Sequence, residues 1–264
     1  MPYSLKLLLI GLLTLPTGIL VISLAPFDRD GRWAYHICRF WTWAILKLGG
    51  IRLKVQGLEG LDPNRPYIFV ANHQSYIDIP TLMQALPGFQ LRWIAKRELL
   101  WIPVFGWAMW SSKHVIVDRQ NLSKAKASLR KAKEKIHRGI SMVIFPEGTR
   151  GLPGRLLPFK RGGFLLAIQT HIPVVPVTIS GSGAVLAKGD WRIQGGEIDV
   201  IVSEPIPVDQ YRVENLKHLM TRVREEMEPH THHQAASASD LPNHAEAIFP
   251  AETRLERSGT PWIH

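Results

Sequence analysis

The sequence predicts an α/β domain, built on a mixed and largely parallel sheet flanked by helices, with an N-terminal two-helix membrane hairpin ahead of it. Three observations carry this. Residues 7–25, LLLIGLLTLPTGILVISLA, hold no charge. A second apolar stretch follows a polar turn at Asp28–Arg32. Beyond residue 50, short apolar strands alternate with amphipathic helices, the pattern of strand–helix–strand units whose sheet is mostly parallel.

The first run is 19 residues long. As a helix it covers roughly 28 Å, close to one hydrocarbon thickness. Pro16 does not forbid this, because lipid-embedded helices tolerate proline. A cleaved leader needs a basic start and a small-residue cleavage site; Lys6 is the only early charge, and Pro26 directly follows Leu24-Ala25. A helix apolar on all sides is either buried in a core or spans a membrane, and the length of this run favours a retained membrane helix. In the second stretch, Trp33, Ile37, Phe40, Trp41, Ala44, Ile45 and Leu48 recur at steps of three and four, opposite Arg39, Trp43 and Lys47. Tryptophans beside snorkelling cations suit an interfacial helix, and Gly49-Gly50 stops it. The pattern leaves open whether the hairpin spans the bilayer or enters one leaflet.

Ile51–Gln56 alternates as a half-buried strand does. Tyr67–Ala71 is a continuous apolar run, expected of a strand covered on both faces. Further strands are predicted at Arg92–Ala95, His114–Val117, Ser141–Phe145, Val174–Ile179 and Glu197–Val202. Helices are predicted at Ser75–Leu86, Asn121–Arg138, from about Gly162 to Thr170, and at Leu216–Glu228. The segment Trp101–Trp110 is aromatic-rich and broken by Pro103 and Gly106. The helix over 121–138 turns Leu122, Ala125, Leu129, Ala132 and Ile136 to one side and Lys124, Lys126, Lys131, Lys133 and Lys135 to the other, a solvated face or a contact for anionic headgroups. Residues 230–264 lose apolar periodicity and read as a disordered tail.

Composition narrows the function. The chain has 264 residues, 45% hydrophobic and 20% charged, so a substantial core is affordable. Thirty-two Lys and Arg against 22 Asp and Glu give +10. Four acids and two bases leave residues 230–264 at −2, so residues 1–229 carry about +12. That favours anionic partners: nucleic acid, acidic membrane or phosphorylated substrates. The single cysteine, Cys38, excludes an internal disulfide framework and a cysteine-based zinc site.

Two motifs carry chemistry. Asn72-His73-Gln74-Ser75-Tyr76-Ile77-Asp78 directly follows the doubly covered strand, at the sheet edge where open α/β folds bind ligands. Ser75 with Asp78 makes a capping box, which accounts for neither Asn72 nor His73. A carboxylate on the first helical turn is able to reach back to the imidazole, fix its tautomer and leave the other nitrogen as a base. The second motif, Phe145-Pro146-Glu147-Gly148-Thr149-Arg150, follows another strand. Pro146 and Gly148 force an irregular turn, projecting Glu147 and Arg150 at the same edge; the bland alternative is a Glu147–Arg150 surface ion pair. Downstream, Lys160 and Arg161 precede Gly162-Gly163 at a helix start, an arrangement that suits phosphate.

Together these blocks resemble the glycerophospholipid acyltransferase family, and closely the bacterial 1-acylglycerol-3-phosphate acyltransferases. The Asn-His-x-x-x-x-Asp motif stands as Asn72, His73 and Asp78, and Phe-Pro-Glu-Gly-Thr-Arg stands complete at 145–150. A block that usually reads glycine, aromatic, Ile-Asp-Arg is present only as Val115–Arg119, without the aromatic. The Lys-x-Glu-Leu block appears as Lys96–Leu99, and the Val-Pro-Val run around Pro173 and Pro176. The resemblance covers about residues 50–205, in matching block order. It implies an acyltransferase domain over 51–229 that moves a fatty acyl group from acyl-CoA or acyl carrier protein to the free hydroxyl of lysophosphatidic acid, forming phosphatidic acid. His73 would be the general base, oriented by Asp78. Arg119, Arg150, Lys160 and Lys96 would hold the phosphate, and Glu147, Gly148 and Thr149 the acceptor and oxyanion loop. The donor is a substrate; no cofactor or metal is implied. Membrane lipids are expected partners, at the cytoplasmic face of the inner membrane.

Three competitors remain. One is transfer to another lyso-lipid, such as a lyso-ornithine lipid. A lipid hydrolase lacks support, since Gly181-Ser182-Gly183 does not have G-x-S-x-G spacing. The third is a non-catalytic nucleic-acid or membrane-binding protein; a nucleic-acid binder would interleave aromatics with its lysines, whereas here the aromatics sit in apolar segments, so no nucleic acid is expected.

Overall fold

A computed structural model describes residues 2–118 and 122–231. Two helices come first, α1 (Tyr3–Leu24) and α2 (Arg32–Gly49). α1 begins before the uncharged run because Lys6 finds acceptors: its Nζ donates to Gly49 O at 2.9 Å and Ile193 O at 3.1 Å. α2 starts where the Asp28 carboxylate accepts the N–H groups of Arg32 and Ala34, each at 2.8 Å. It ends at Gly50, whose φ of 71° only glycine adopts without strain. Trp41 Nε1 donates to Thr14 Oγ1 at 3.0 Å, tying the two helices together.

Among the described residues, only α1 is long and apolar enough to cross a membrane. α2 is amphipathic. Tyr35, Thr42, Ile45 and Leu46 turn inward while Trp33 and Phe40 are exposed. Gln84 Nε2 donates to Arg39 O and Thr42 Oγ1 on the inward face at 2.7 Å each, and those bonds are worth most where water is excluded.

The described residues then form a seven-stranded sheet in the order β1-β7-β6-β2-β5-β3-β4. Its strands are β1 (Ile51–Gln56), β2 (Ile68–Ala71), β3 (Leu91–Lys96), β4 (Val115–Val117), β5 (Ser141–Ile144), β6 (Val174–Ser180) and β7 (Gly196–Val202). All neighbours are parallel except β6 and β7. The helices between them are α3 (Asp78–Ala85), α4 (Phe105–Ser111), α5 (Leu122–Ile136), α6 (Gly162–Thr170) and α7 (Ser182–Val185), and α8 (Leu216–Met227) follows the last strand. β2, β5 and β6 are buried along their whole length, which is why their sequences are apolar rather than alternating. One core lies on the side of α2 and α3, the other under α5, α6 and α8.

Several elements depart from expectation. α3 begins at Asp78, not Ser75, because residues 72–77 make an irregular turn held by side chains. The aromatic stretch after β3 is ordered as a 3-10 turn (Arg97–Trp101) and α4, with Val104 between them at φ 62°. α1 comes so close here that a Cβ on Gly18 would stand 2.6 Å from Val104 Cγ1. Arg92, expected only as the start of a strand, is fully buried; it donates to Leu91 O, Asp30 O and Gly31 O at 2.7–2.8 Å and so fastens the α1–α2 turn to β3. The predicted tail begins too early, since His230 ends a 3-10 turn and Thr231 is buried. The expectation for residues 232–264 lies outside the described residues.

Candidate active site

Parallel pairing builds the site. Val70 of β2 stands beside Ile144 of β5 on one side and Pro176 of β6 on the other. His73 and Glu147 each lie three residues past the Val70–Ile144 rung, so both turns emerge together at the carboxyl edge of the sheet. Asn72 locks the exit of β2: its Nδ2 donates to Ile179 O at 2.8 Å, and its Oδ1 accepts Ile179 N–H at 2.7 Å. This is the role that a capping-box reading could not supply.

His73 Nδ1 lies 2.8 Å from Asp78 Oδ2, and the aspartate side chain is fully buried. The same oxygen accepts the N–H groups of Gln74 and Ser75 at 2.8 and 2.9 Å. An acceptor-only carboxylate fixes the proton on Nδ1 and leaves Nε2 with its lone pair. Asp78 Oδ1 is buried and has no hydrogen-bond partner among the described residues. The imidazole stacks on Phe145, with centroids 4.1 Å apart and planes at 15°. Sequence reasoning gave Phe145 no role; the signal was an aromatic at the last position of an apolar strand. Ser75 does not cap α3 from N-cap position. Its hydroxyl donates to Leu186 O at 2.7 Å.

Glu147 does not project from the edge and does not pair with Arg150. It is turned inward, 3% exposed, with Oε1 accepting His73 N–H at 2.8 Å and Oε2 accepting Leu157 N–H at 2.9 Å. Burial pushes its carboxyl above the usual range, outweighing the two backbone donors that pull it down. Segment 151–160 straps this carboxylate in place. Gly151 N–H donates to His73 O at 2.7 Å and Lys160 N–H to Pro146 O at 2.8 Å. From α8, Arg224 fixes the strap: its Nη groups donate to Leu157 O at 3.1 Å and Leu156 O at 3.0 Å. Arg224 carried no sequence signal, being one of many cations on a polar helix.

Gly148 takes φ 71°, as the irregular turn requires. Its N–H donates to Phe145 O at 3.1 Å. Thr149 is exposed, and its N–H has no partner among the described residues. Arg150 lies over Tyr76, its guanidinium carbon 3.7 Å from the ring centroid. Lys160 and Lys96 are exposed, with no side-chain partner among the described residues. Arg97 is different, being paired with Asp118 at 3.0 Å. Arg119 lies outside the described residues.

A buried carboxylate, an oriented imidazole and several uncommitted cations at one sheet edge can take a proton from a hydroxyl beside an anionic group. Comparisons with known proteins identify the family. Residues 52–180 match the family model described as Acyltransferase. The chain is 36% identical over 192 residues to 1-acyl-sn-glycerol-3-phosphate acyltransferase alpha of Ovis aries, covering 72% of this chain and 67% of that one. It is 38% identical over 183 residues to the chloroplastic 1-acyl-sn-glycerol-3-phosphate acyltransferase BAT2 of Brassica napus, covering 68% and 52%. The crystal structure of the 1-acyl-sn-glycerophosphate (LPA) acyltransferase PlsC from Thermotoga maritima superposes with a TM-score of 0.66 at 28% identity, over 86% of this chain and 96% of that one. With family model, relatives and architecture in agreement, the chain is an enzyme that belongs to the acyltransferase family of the 1-acyl-sn-glycerol-3-phosphate acyltransferases.

Proposed function

We propose that this enzyme transfers a fatty acyl group from an acyl thioester to the free hydroxyl of 1-acylglycerol-3-phosphate, giving phosphatidic acid. The observation that carries this is the His73–Asp78 pair at the carboxyl edge of the sheet. His73 Nε2 takes the hydroxyl proton as the glycerol oxygen attacks the thioester carbonyl. The C–S bond of the tetrahedral intermediate then breaks, and the imidazolium returns its proton to the departing thiolate. Asp78 stabilises that imidazolium. No acyl-enzyme is needed, because a thioester is already activated. Arg150, Lys160 and Lys96 hold the phosphate, with Arg119 assigned the same role by the motif it belongs to. Glu147 braces the loop, and Thr149 N–H is a donor for the oxyanion.

The donor is acyl-CoA or acyl carrier protein; both are cytosolic, which puts the domain on the cytoplasmic face of the inner membrane. The two helices act as a membrane hairpin. Alongside α1, the exposed Trp101, Trp107 and Trp110 seat the site at bilayer depth, where acceptor and product reside.

The test is thiol release from palmitoyl-CoA by the purified protein across a panel of lyso-lipids. Turnover of lysophosphatidic acid that disappears in folded, membrane-bound His73→Ala is expected. Turnover of another acceptor alone would replace the substrate. Ser182 is fully buried, so Ser182→Ala should leave the rate intact; its loss would favour a serine hydrolase.

A further inference from the structure

Arg150 is held by its face, at 3.7 Å from the Tyr76 centroid. Trp191 lies beside Tyr76, with centroids 6.2 Å apart and planes at 23°. Tyr76 is 49% exposed and Trp191 67% exposed. Neither ring is there to fill the core. A guanidinium carries its N–H donors in its own plane, so stacking on one face leaves the donor edge open to an anion. Among the described residues, none of those donors is bonded to protein. Arg150 is also held through its backbone, by Lys188 Nζ on its carbonyl oxygen at 3.1 Å. Lys188 and Trp191 share the loop between α7 and β7, so one loop supports Arg150 twice. The nearby Arg192 of that loop is neutralised by Asp190 at 2.8 Å and leaves Arg150 as the uncommitted arginine of the stack.

We propose that Tyr76, flanked by Trp191, is a positioning residue that sets preference for a phosphate-bearing acceptor by holding the Arg150 fork flat and edge-on to the phosphate. This rests on the reading of the acceptor as a phosphate monoester. A pre-oriented fork loses little freedom when a phosphate arrives, so its loss appears in acceptor binding and not in the chemical step.

The experiment compares steady-state kinetics of wild type, Tyr76→Phe, Tyr76→Leu, Arg150→Lys and the Tyr76→Leu/Arg150→Lys pair, using palmitoyl-CoA and varied lysophosphatidic acid. Tyr76→Leu should raise KM for lysophosphatidic acid about tenfold and leave kcat within about twofold. Tyr76→Phe keeps the ring and should stay within about twofold of wild type in both constants. In the Arg150→Lys background the planar fork is gone, so Tyr76→Leu should add less than about twofold. An unchanged KM in Tyr76→Leu overturns the proposal, as does an equal loss in both Arg150 backgrounds. So does a fall in kcat and melting temperature shared by Tyr76→Phe. A wild type that leaves lysophosphatidic acid untouched while turning over an uncharged lyso-lipid overturns the acceptor reading, and this inference with it.

Discussion

Asp78→Asn separates the charge of the catalytic pair from its geometry. In most histidine–carboxylate pairs an amide substitution risks presenting NH2 to the ring and reversing its tautomer. Here one oxygen, Oδ2, accepts the ring Nδ1–H and two backbone N–H groups. Three donors converging on one position select the amide oxygen for it. The new NH2 then falls where Oδ1 now lies, buried and without a partner. Geometry and tautomer survive while the negative charge disappears. At a charge separation of about 4 Å and an effective dielectric of about 20, that charge stabilises the imidazolium by about 4 kcal/mol. The His73 side chain is 16% exposed, and solvent reduces the figure. At 1.36 kcal/mol per factor of ten, kcat should fall on the order of 100- to 1000-fold. KM for lysophosphatidic acid should stay within about threefold, since the pair acts in the transition state. The assay is thiol release from palmitoyl-CoA, with circular dichroism to establish the fold. Asp78→Ala should fall further and melt lower, because it strands all three donors. A folded Asp78→Asn with kcat within about fivefold of wild type would refute the reasoning.

Glu147→Gln offers one acceptor oxygen where two backbone N–H groups need one each, so it should destabilise by about 1–3 kcal/mol, read by urea denaturation. The pH dependence has a definite sign. The Glu147 carboxyl is raised by burial, so the native state holds that proton more tightly than the unfolded chain does. The stability of wild type over Glu147→Gln should therefore be greatest below about pH 4.5 and decline as pH rises through the raised value. Arg224→Ala frees Leu156 O and Leu157 O; a loss of about 2 kcal/mol would lower Tm by roughly 4–8 °C in a domain of this size, and kcat should fall with it as the strap over Glu147 loosens. Replacing the exposed Trp101, Trp107 and Trp110 by alanine should weaken partitioning onto vesicles containing anionic lipid by more than about tenfold, with circular dichroism unchanged; unchanged cosedimentation would remove this surface from the membrane contact.

Much of the fold is local in origin, and was therefore readable. The expected strands appear within a residue or so of their predicted bounds, because two-sided burial and half-burial each leave a periodicity that a single segment shows by itself. The sequence also put His73 and Asp78 within reach, since five residues around a strand-to-helix turn cannot separate them far. Polar satisfaction was less legible. The Gln84 side chain, far along the chain, donates to Arg39 O and Thr42 Oγ1 of α2, contacts that no pattern within α2 announces.

Residue chemistry along the chain thus determined that a base and its carboxylate exist, that cations accompany them, and that an apolar helix precedes the domain. Tertiary structure decided what each polar group is spent on. It turned Glu147 inward onto His73 and Leu157, bonded the Gly148 N–H to Phe145 O, brought Arg224 in from the last helix and laid Arg150 on Tyr76. A hydrogen bond or a stacked ring depends on partners that only a register places together. The Val70–Ile144 rung, which sets two distant motifs side by side, is a fact of strand pairing and not of any one segment.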